Sequence, residues 1–239
     1  MTPADPLPRA ESAPQQTITL SGIAVDAEDS SGTSRRILHP VSLVIDQQRT
    51  AVIGANGSGK STFLRVIAGL LSPAAGELSF SPQTPRTGFI FSNPQAQLIM
   101  PVVGEDIDFS LRRLIRSPRE RAQRVAEILA SVDLADRVDS SIYDLSSGER
   151  QKVALAGVLA TQPGLVLADE PTTLLDLRNA AEFQRRLLTL SAPLIYATHD
   201  LDFASAADRV IVFDSGRIIA DGEPRAAVAA YRERALSED

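Results

Sequence analysis

The sequence has no cysteine, no long apolar run and no excess of basic residues. The absence of cysteine excludes disulfides, thiolate zinc sites and thiol chemistry, and it is compatible with a reducing cytosol. No apolar stretch approaches the ~20 residues that a membrane-spanning helix needs. Residues 1–16 also lack a basic segment followed by an apolar one, so we expect a soluble chain that is not exported.

The charge balance argues against nucleic acid as the main partner. The formal net charge is -6 at pH 7, whereas a nucleic-acid-binding surface normally carries a basic excess. With 239 residues, of which 44% are hydrophobic, the chain can bury a substantial core without cross-links. Residues 1–16 are rich in Pro, Ala, Ser and Gln, which predicts a disordered tail followed by one folded domain over residues 17–239.

The most informative segment is a glycine-rich loop between a short apolar run and a helical segment. Residues 54–61 read Gly-Ala-Asn-Gly-Ser-Gly-Lys-Ser, a complete phosphate-binding loop. Its glycines let successive backbone N–H groups face an anion at the positive end of the following helix. Lys60 is predicted to bind the β- and γ-phosphates, and the Ser61 hydroxyl to bind Mg²⁺. The predicted phosphate-binding residues are Gly54, Asn56, Gly57, Ser58, Gly59, Lys60, Ser61 and Thr62.

A second motif places two carboxylates directly after a buried strand. Residues 165–168 are apolar and lead into Asp169 and Glu170, and ligands of open α/β sheets collect at the carboxyl ends of strands. Asp169 is predicted to hold Mg²⁺ through its water shell. Glu170 is predicted to polarise, or accept a proton from, the water that attacks the γ-phosphate.

Apolar β runs alternate with helical segments along the chain. Runs at 165–168, 194–197 and 210–213 predict an α/β core with a mainly parallel sheet. Weaker alternation before the phosphate-binding loop predicts a small antiparallel sheet. The segment from about residue 92 to 159 is mostly helical, and one helix is predicted to begin at a Ser117 cap.

Residues 145–149 read Leu-Ser-Ser-Gly-Glu, with Ser146 as a helix cap and Glu149 three residues later. In this place between the phosphate-binding loop and the acidic strand, the segment also resembles the Leu-Ser-Gly-Gly-Gln signature of ATP-binding cassette (ABC) proteins. Residues 173–176 are similar to the D-loop of that family, and His199 is similar to its switch histidine. The resemblance extends over about residues 18–222.

The resemblance implies a RecA-like P-loop NTPase core, a small antiparallel β subdomain and a helical signature subdomain inserted at about residues 92–159. It implies hydrolysis of ATP with Mg²⁺, with Glu170 as the catalytic carboxylate and His199 as the sensor of the γ-phosphate. It also implies a homodimer, or a heterodimer with a second ABC ATPase, in which the signature binds the ATP held by the opposite subunit. The residues implied at this second nucleotide contact are Ser146, Ser147, Gly148, Glu149 and Asp176.

Three positions depart from the family pattern. Ser92 stands where the family has the Q-loop glutamine that contacts Mg²⁺, so either the Ser92 hydroxyl binds the metal or Gln95 or Gln97 replaces it. Ser147 replaces a glycine, and a positive φ there would cost ~1 kcal/mol. Ala27 lies near the position of the aromatic residue that stacks on adenine, which predicts weaker binding of the base.

Two stretches, residues 91–109 and 170–179, resemble the ATPases of energy-coupling-factor (ECF) importers, and the second is most similar to ATPases of biotin import. This resemblance implies a transmembrane coupling subunit and a substrate-binding membrane subunit as partners, at the cytoplasmic face of the cell membrane. It implies import of a vitamin, with biotin expected. A cobalt, nickel or other vitamin importer, a soluble regulatory ABC protein and a structural dimer without turnover are the alternatives.

Two charged segments have open interpretations. Glu105, Asp106 and Asp108 either pair with arginines of the coupling subunit or form a solvated acidic turn. A basic stretch forms either a solvated helix face or a contact with lipid headgroups. It consists of Arg112, Arg113, Arg116, Arg119, Arg121 and Arg124.

Overall fold

The protein is described here by a computed structural model that covers residues 16–28 and 32–236. Apart from Gln16, the tail predicted for residues 1–16 lies outside the described residues. The strands are β1 (Thr17–Glu28), β2 (Ser34–Ile45), β3 (Arg49–Gly54), β4 (Ala75–Ser81), β5 (Thr87–Ile90), β6 (Leu165–Asp169), β7 (Leu194–Ala197), β8 (Arg209–Asp214) and β9 (Arg217–Gly222). The helices are α1 (Lys60–Ile67), α2 (Val103–Leu111), α3 (Pro118–Ser131), α4 (Ser147–Ala160), α5 (Leu177–Leu188), α6 (Leu201–Ser205) and α7 (Pro224–Leu236).

A six-stranded sheet forms the centre of the molecule, with strand order β5-β6-β7-β3-β8-β9. All neighbouring strands are parallel except the β8–β9 pair. Every residue of β3, β6 and β7 is buried, because α1 with strands β1 and β2 covers one face of the sheet and α4, α5, α6 and α7 cover the other. The predicted α/β core with a mainly parallel sheet is therefore confirmed.

A second, antiparallel sheet has strand order β2-β1-β4, as the alternation before the phosphate-binding loop predicted. The inward side chains of β1 include Ile18, Leu20 and Ile23, each with 2% or less of its surface exposed. They belong to one hydrophobic cluster with Phe63 and Leu64 of α1. The small sheet is thus packed against the helix that follows the phosphate-binding loop.

Helices α2, α3 and α4 follow β5 and precede β6, and they share a hydrophobic cluster of their own that includes Ile107, Leu129 and Val153. The predicted cap of α3 is present, since the Ser117 side chain accepts a hydrogen bond from the Glu120 backbone N–H. No helix in the part of the chain that the structure describes is long and apolar enough to cross a bilayer.

Helix α5 connects the sheet to this helical segment through ion pairs. Lys152 of α4 lies 2.8 Å from Glu182 of α5. Arg186 of α5 donates to the carbonyl oxygen of Ser131 at 2.9 Å and pairs with Asp133, just beyond the end of α3. These pairs join α5 to both of the helices α3 and α4.

Arg49, the first residue of β3, is buried at the edge of the sheet away from the phosphate-binding loop. Its guanidinium donates to the carbonyl oxygens of Leu188 at 2.9 Å and Ala192 at 3.1 Å, and it also contacts that of Leu190. Leu188 ends α5, where carbonyl groups lack intrahelical partners. Burial lowers the pKa of Arg49, and the nearby Asp208 carboxylate opposes this shift.

We expect Arg49→Met to lower the free energy of unfolding by ~2–4 kcal/mol, because each buried carbonyl left without a donor costs ~1–3 kcal/mol. Urea denaturation followed by circular dichroism measures the change. Arg119→Met, on the exposed face of α3, is the control and should stay within ~0.5 kcal/mol of the parent. Equal midpoints for both variants would show that Arg49 does not hold β3 against the end of α5.

Candidate active site

The phosphate-binding loop connects β3 to α1, and its backbone requires glycine. Gly54, Gly57 and Gly59 have φ values of 147°, 77° and 107°. A Cβ on Gly59 would lie 2.6 Å from Cδ2 of Leu38, and one on Gly54 would lie 2.2 Å from the carbonyl oxygen of Phe213. The loop therefore adopts its shape only because these positions carry no side chain.

Lys60 begins α1 and turns its side chain back into the loop. Its Nζ donates to the carbonyl oxygens of Gly54 at 2.8 Å and Ala55 at 3.0 Å. Glu170 Oε1 lies 4.0 Å from the same nitrogen. Burial lowers the pKa of Lys60, while the Glu170 and Asp169 carboxylates oppose that shift. A cation is thus held where the loop would receive phosphate oxygens.

Ser61 and Asp169, which the sequence placed at one metal, are in direct contact. The Ser61 Oγ donates to Asp169 Oδ1 at 2.8 Å across the gap between α1 and the end of β6. Only 4% of the Asp169 surface is exposed, and this burial raises the pKa of the carboxyl, against the Ser61 hydrogen bond. Hydroxyl and carboxylate oxygens are ligands that Mg²⁺ accepts, so the donor set fits this ion.

Other protein ligands for such an ion are not assembled nearby. Within residues 16–28 and 32–236 there is no group of three or more His, Cys, Asp or Glu side chains that could hold a metal. Mg²⁺ commonly uses one or two protein oxygens and completes its shell with phosphates and water. The arrangement therefore fits a metal that arrives with a nucleotide.

Glu170 lies next to His199, because β6 and β7 are neighbouring parallel strands. His199 Nδ1 is 2.7 Å from Glu170 Oε2, and the Thr173 hydroxyl donates to the same oxygen at 3.3 Å. Glu170 has a left-handed φ of 48°, and its backbone N–H donates to the Ala197 carbonyl at 3.1 Å. Both predicted catalytic residues therefore meet at one carboxylate oxygen. Thr173 was predicted only as part of the D-loop, and its contact with Glu170 arises in the folded turn.

The signature segment is a preorganised helix start. Ser146 caps α4, with its Oγ accepting from the Glu149 N–H at 3.2 Å, while Glu149 Oε2 accepts from the Ser146 N–H at 2.8 Å. The Ser146 hydroxyl also donates to Glu149 Oε2 at 2.8 Å, and the bonds from the Ser146 N–H and from this hydroxyl are the main reason that the pKa of Glu149 is lowered. Ser147 begins α4 and its φ is not positive. The ~1 kcal/mol of strain that a positive φ would cause at this serine is therefore absent.

Asp176 of the D-loop caps α5 and is tied to Asn179. The Asp176 carboxylate accepts from the Asn179 backbone N–H and from its Nδ2, both at 2.8 Å. The first of these bonds is the main cause of the lowered pKa of Asp176. A Cβ on Gly148 would lie 3.1 Å from Cγ of Asn179, so the signature glycine lets α4 approach this cap closely. Sequence reasoning missed Asn179, because only the fold places it beside Gly148.

Ser92 lies at the same edge of the sheet as Asp169 and Glu170, two residues after Ile90, which pairs with Ala168. Of its proposed substitutes, Gln97 is already engaged at both ends of its amide. Its Oε1 accepts from the Phe91 N–H and its Nε2 donates to the Ala154 carbonyl of α4, both at 3.3 Å. The metal-binding role of Ser92 therefore stays a prediction, and Gln97 serves as a bridge between this loop and α4.

Two of the three acidic residues that could pair with a coupling subunit, Asp106 and Asp108, already have partners within this chain. Asp106 is buried and accepts from the backbone N–H groups of Ile99 at 2.7 Å and Met100 at 2.9 Å. Asp108 pairs with Arg121 at 2.6 Å and with Arg112. The charges of these two arginines of the basic stretch are therefore already paired within the chain. Of the three acidic residues, Glu105 is the exposed one.

A pocket of about 380 Å³ lies against the phosphate-binding loop. It is lined by Lys60, Ser61 and Glu170 at one part of its wall, together with Arg35 and Ile37 of β2. Residues 146–149 of the signature do not line it. A single chain therefore presents a phosphate cradle and a capped helix start as separate surfaces.

A phosphate-binding loop, a buried acidic strand end and a histidine in contact with the predicted catalytic residue Glu170 are features of a P-loop ATPase. The model of the family described as "ABC transporter" matches residues 38–173, which is more than half of the chain. This chain belongs to the ABC transporter family. The resemblance inferred from the signature and from the D-loop is thereby confirmed, as is the assignment of ATPase activity.

Two curated relatives specify the resemblance further. The biotin transport ATP-binding protein BioM of Rhizobium etli is 41% identical over 216 residues, which cover 86% of this chain and 96% of the relative. The energy-coupling factor transporter ATP-binding protein EcfA1 of Mesomycoplasma hyopneumoniae is 34% identical over 204 residues, which cover 79% of this chain and 75% of the relative. The resemblance to the ECF type of ABC ATPase is thus confirmed.

Two solved structures share the fold. CbiO1 from Clostridium perfringens, part of the ABC transporter complex cbiONQ, has a TM-score of 0.75 and 28% identity, covering 92% of this chain and 93% of that one. The ATP-binding cassette MJ0796, in a dimeric post-hydrolysis state bound to ADP and Pi, has a TM-score of 0.77 and 25% identity. It covers 87% of this chain and 99% of that one.

We expect Asp169→Asn to raise the free energy of unfolding of the nucleotide-free protein by ~0.5–2 kcal/mol at pH 7 while abolishing ATP turnover. Because the pKa of Asp169 is raised in the folded state, its ionisation costs stability above that pKa. The cost is relieved as the pH falls through the folded-state pKa, so the gain should shrink in acid. Lys60 loses a favourable neighbour, which limits the gain.

Urea denaturation of parent and variant at pH 7 and in mild acid measures this dependence. Asp202→Asn, at an exposed position of α6, is the control for loss of one carboxylate and should show little pH-dependent gain. A variant that is less stable than the parent at pH 7 would contradict the assigned cost of burying Asp169.

Proposed function

We propose that this chain is the ATP-hydrolysing subunit of an ECF-type importer, that it works as a dimer at the cytoplasmic face of the cell membrane, and that the imported solute is biotin. The observation behind this proposal is that Lys60, Ser61 and Glu170 line one pocket that lacks the signature of the same chain, while Asp169 contacts Ser61 and His199 contacts Glu170. The finer points below follow from these contacts and from the relatives.

The phosphate-binding loop and α1 supply the first half of the nucleotide site. Backbone N–H groups of residues 54–59 and the Lys60 ammonium bind the β- and γ-phosphates at the positive end of α1. Ser61 and Asp169 hold Mg²⁺, which neutralises phosphate charge when it is bound. Lys60 exchanges its present bonds to the Gly54 and Ala55 carbonyl oxygens for phosphate oxygens.

Glu170 and His199 perform the hydrolytic step. The Glu170 carboxylate accepts a proton from the attacking water as the water oxygen bonds to the γ-phosphorus. The bond from the γ-phosphorus to the β–γ bridging oxygen breaks, and ADP leaves with that oxygen. Two donors on Oε2, from His199 and Thr173, fix the carboxylate so that Oε1 stays on the Lys60 side. His199 has 65% of its side chain exposed, so its ring can also reach a γ-phosphate and register its loss.

The signature of a second chain completes the site. Ser146, Ser147 and Gly148 form a capped helix start whose free N–H groups suit a γ-phosphate. In one chain this helix start lies outside the Lys60 pocket, so two chains in opposed orientation would place each signature over the partner's ATP. The dimeric MJ0796 structure, which contains ADP and Pi, supports this arrangement.

A membrane partner has a suitable surface on the helical segment. Val102 and Ser141 form an isolated antiparallel bridge, which brings the chain around Ile99 beside the chain around Tyr143. These two side chains are 68% and 74% exposed, and Glu105 offers a carboxylate on the same segment. Exposed apolar groups of this size beside a free acid suit the docking of a basic, amphipathic segment of a coupling subunit. Membrane attachment of this kind would make the protein peripheral.

Biotin is proposed because BioM of Rhizobium etli is similar over nearly its whole length. ECF-type relatives named without a solute, such as EcfA1, keep a different vitamin or a metal ion as the alternative. The solute would be bound by another subunit, so no side chain of this chain selects it.

We expect the opposed dimer to be revealed by mixing two inactive variants. Lys60→Ala removes the phosphate cation, and Ser146→Arg blocks the signature, so each variant alone should release no phosphate from ATP. An equal mixture forms heterodimers with one intact site, which should restore about a quarter of the parent turnover per chain. Phosphate release under identical total protein measures it.

The matched control puts both substitutions in one chain and mixes that double variant with itself. It should stay inactive, since no pairing then produces an intact site. Failure of the two single variants to complement each other, with an active parent, would contradict a site shared between chains.

We expect membrane proteins to co-purify with this chain from detergent-treated membranes, and the reconstituted complex to take up labelled biotin with ATP. Glu170→Gln should bind ATP and the same partners but lower uptake by ~100-fold or more, as loss of a general base does. Uptake of cobalt, nickel or another vitamin in place of biotin would refute the solute assignment alone. An active ATPase that captures no membrane protein would refute the importer.

A further inference from the structure

Arg35 lies beside the phosphate-binding loop and has no role in the phosphate, metal or catalytic sites described above. It belongs to β2 and lines the 380 Å³ pocket that contains Lys60, Ser61 and Glu170. A neighbouring pocket of about 310 Å³ is also lined by Arg35, together with Ile37 and Asn56, but not by Lys60, Ser61 or Glu170. Arg35 and Ile37 therefore extend the nucleotide pocket away from the end where the γ-phosphate is cleaved.

The guanidinium of Arg35 is available to a ligand. It makes no hydrogen bond or ion pair with any other residue that the structure describes. Its partner across the β1–β2 ladder is Ala27, which offers only a methyl group. The next residue, Arg36, lines the 310 Å³ pocket as well, but its guanidinium already forms a bidentate pair with Asp26. Two adjacent arginines thus differ in that only one is already engaged.

The chemistry of ATP indicates what Arg35 would contact. The triphosphate is served by the loop N–H groups and Lys60, so the nucleoside must leave the loop along the remaining wall of the pocket. In the 380 Å³ pocket that wall holds Ile37, a half-buried apolar side chain, and Arg35, with no aromatic side chain among its described lining residues. The imidazole of His39 lines only the neighbouring 310 Å³ pocket. A planar guanidinium stacks on aromatic rings, and a purine presents such a face.

We propose that Arg35 stacks on the adenine base of ATP, with Ile37 as the apolar contact beside it, so that an arginine takes the place of an aromatic base-binding residue. The proposal rests on ATP as the ligand of the loop. It replaces the expectation, drawn from Ala27, that the base is held without a stacking partner. Stacking through a π face discriminates weakly between bases, so GTP should bind with an affinity close to that of ATP.

Isothermal titration with ADP and with inorganic pyrophosphate, in the same Mg²⁺ buffer, tests the proposal without hydrolysis. Arg35→Ala should weaken ADP binding by roughly 3- to 30-fold, the range of a cation–π contact, and leave pyrophosphate binding unchanged. Arg35→Tyr should restore ADP binding, because tyrosine supplies a stacking ring without the charge. Arg36→Ala is the matched control and should bind both probes as the parent does.

The outcomes separate a base contact from a phosphate contact. An equal loss of ADP and pyrophosphate affinity in Arg35→Ala, with no recovery in Arg35→Tyr, would overturn stacking and assign Arg35 to the phosphates. Unchanged ADP binding in Arg35→Ala, or an equal loss in Arg36→Ala, would also overturn it, with the proposed ATPase function intact. A parent protein that binds neither probe would instead overturn the nucleotide site, and this inference with it.

Discussion

The parallel pairing of β6 with β7, and of β7 with β3, determines where every reactive group of this protein lies. Ala197 pairs with Asp169 on one side and with Val52 on the other. This register aligns the carboxyl ends of the three strands, from which the phosphate-binding loop, Glu170 and His199 emerge. Without it, residues that are far apart in sequence would not share one carboxylate.

The same alignment places opposed charges in a region from which water is largely excluded. Lys60 and Asp169 are 5% and 4% exposed. Burial lowers the pKa of Lys60 and raises the pKa of Asp169, so in both cases it favours the neutral form. The fold offsets part of this cost through the Ser61 hydrogen bond and through the proximity of Glu170 to Lys60. Phosphate oxygens would pair with Lys60 and Mg²⁺ with Asp169, so binding of a Mg²⁺–nucleotide complex would stabilise the folded state.

Local chemistry made part of the site predictable. The glycines of the loop, the acids after β6 and the Ser146–Glu149 capping box depend on residues close in sequence, and their motifs identified them. The α/β sheet followed equally from the apolar runs. The roles of Thr173, Asn179 and Arg35 were not foreseen, because they depend on contacts that only the folded chain creates. The two hydrogen bonds of Gln97 could not be predicted for the same reason, since they link Phe91, which precedes α2, to Ala154, which follows α3 in the sequence.

Helix α5 contacts the D-loop cap, α4 and the chain at the end of α3. Its first turn is held by Asp176 and touches the signature helix at Gly148, while its later turns hold α4 through Glu182 and the end of α3 through Arg186. Because a hydrogen-bonded helix is stiff along its axis, a movement of its first turn also moves its later turns. A displacement of the D-loop would therefore be transmitted along α5 to α4 and to the end of α3.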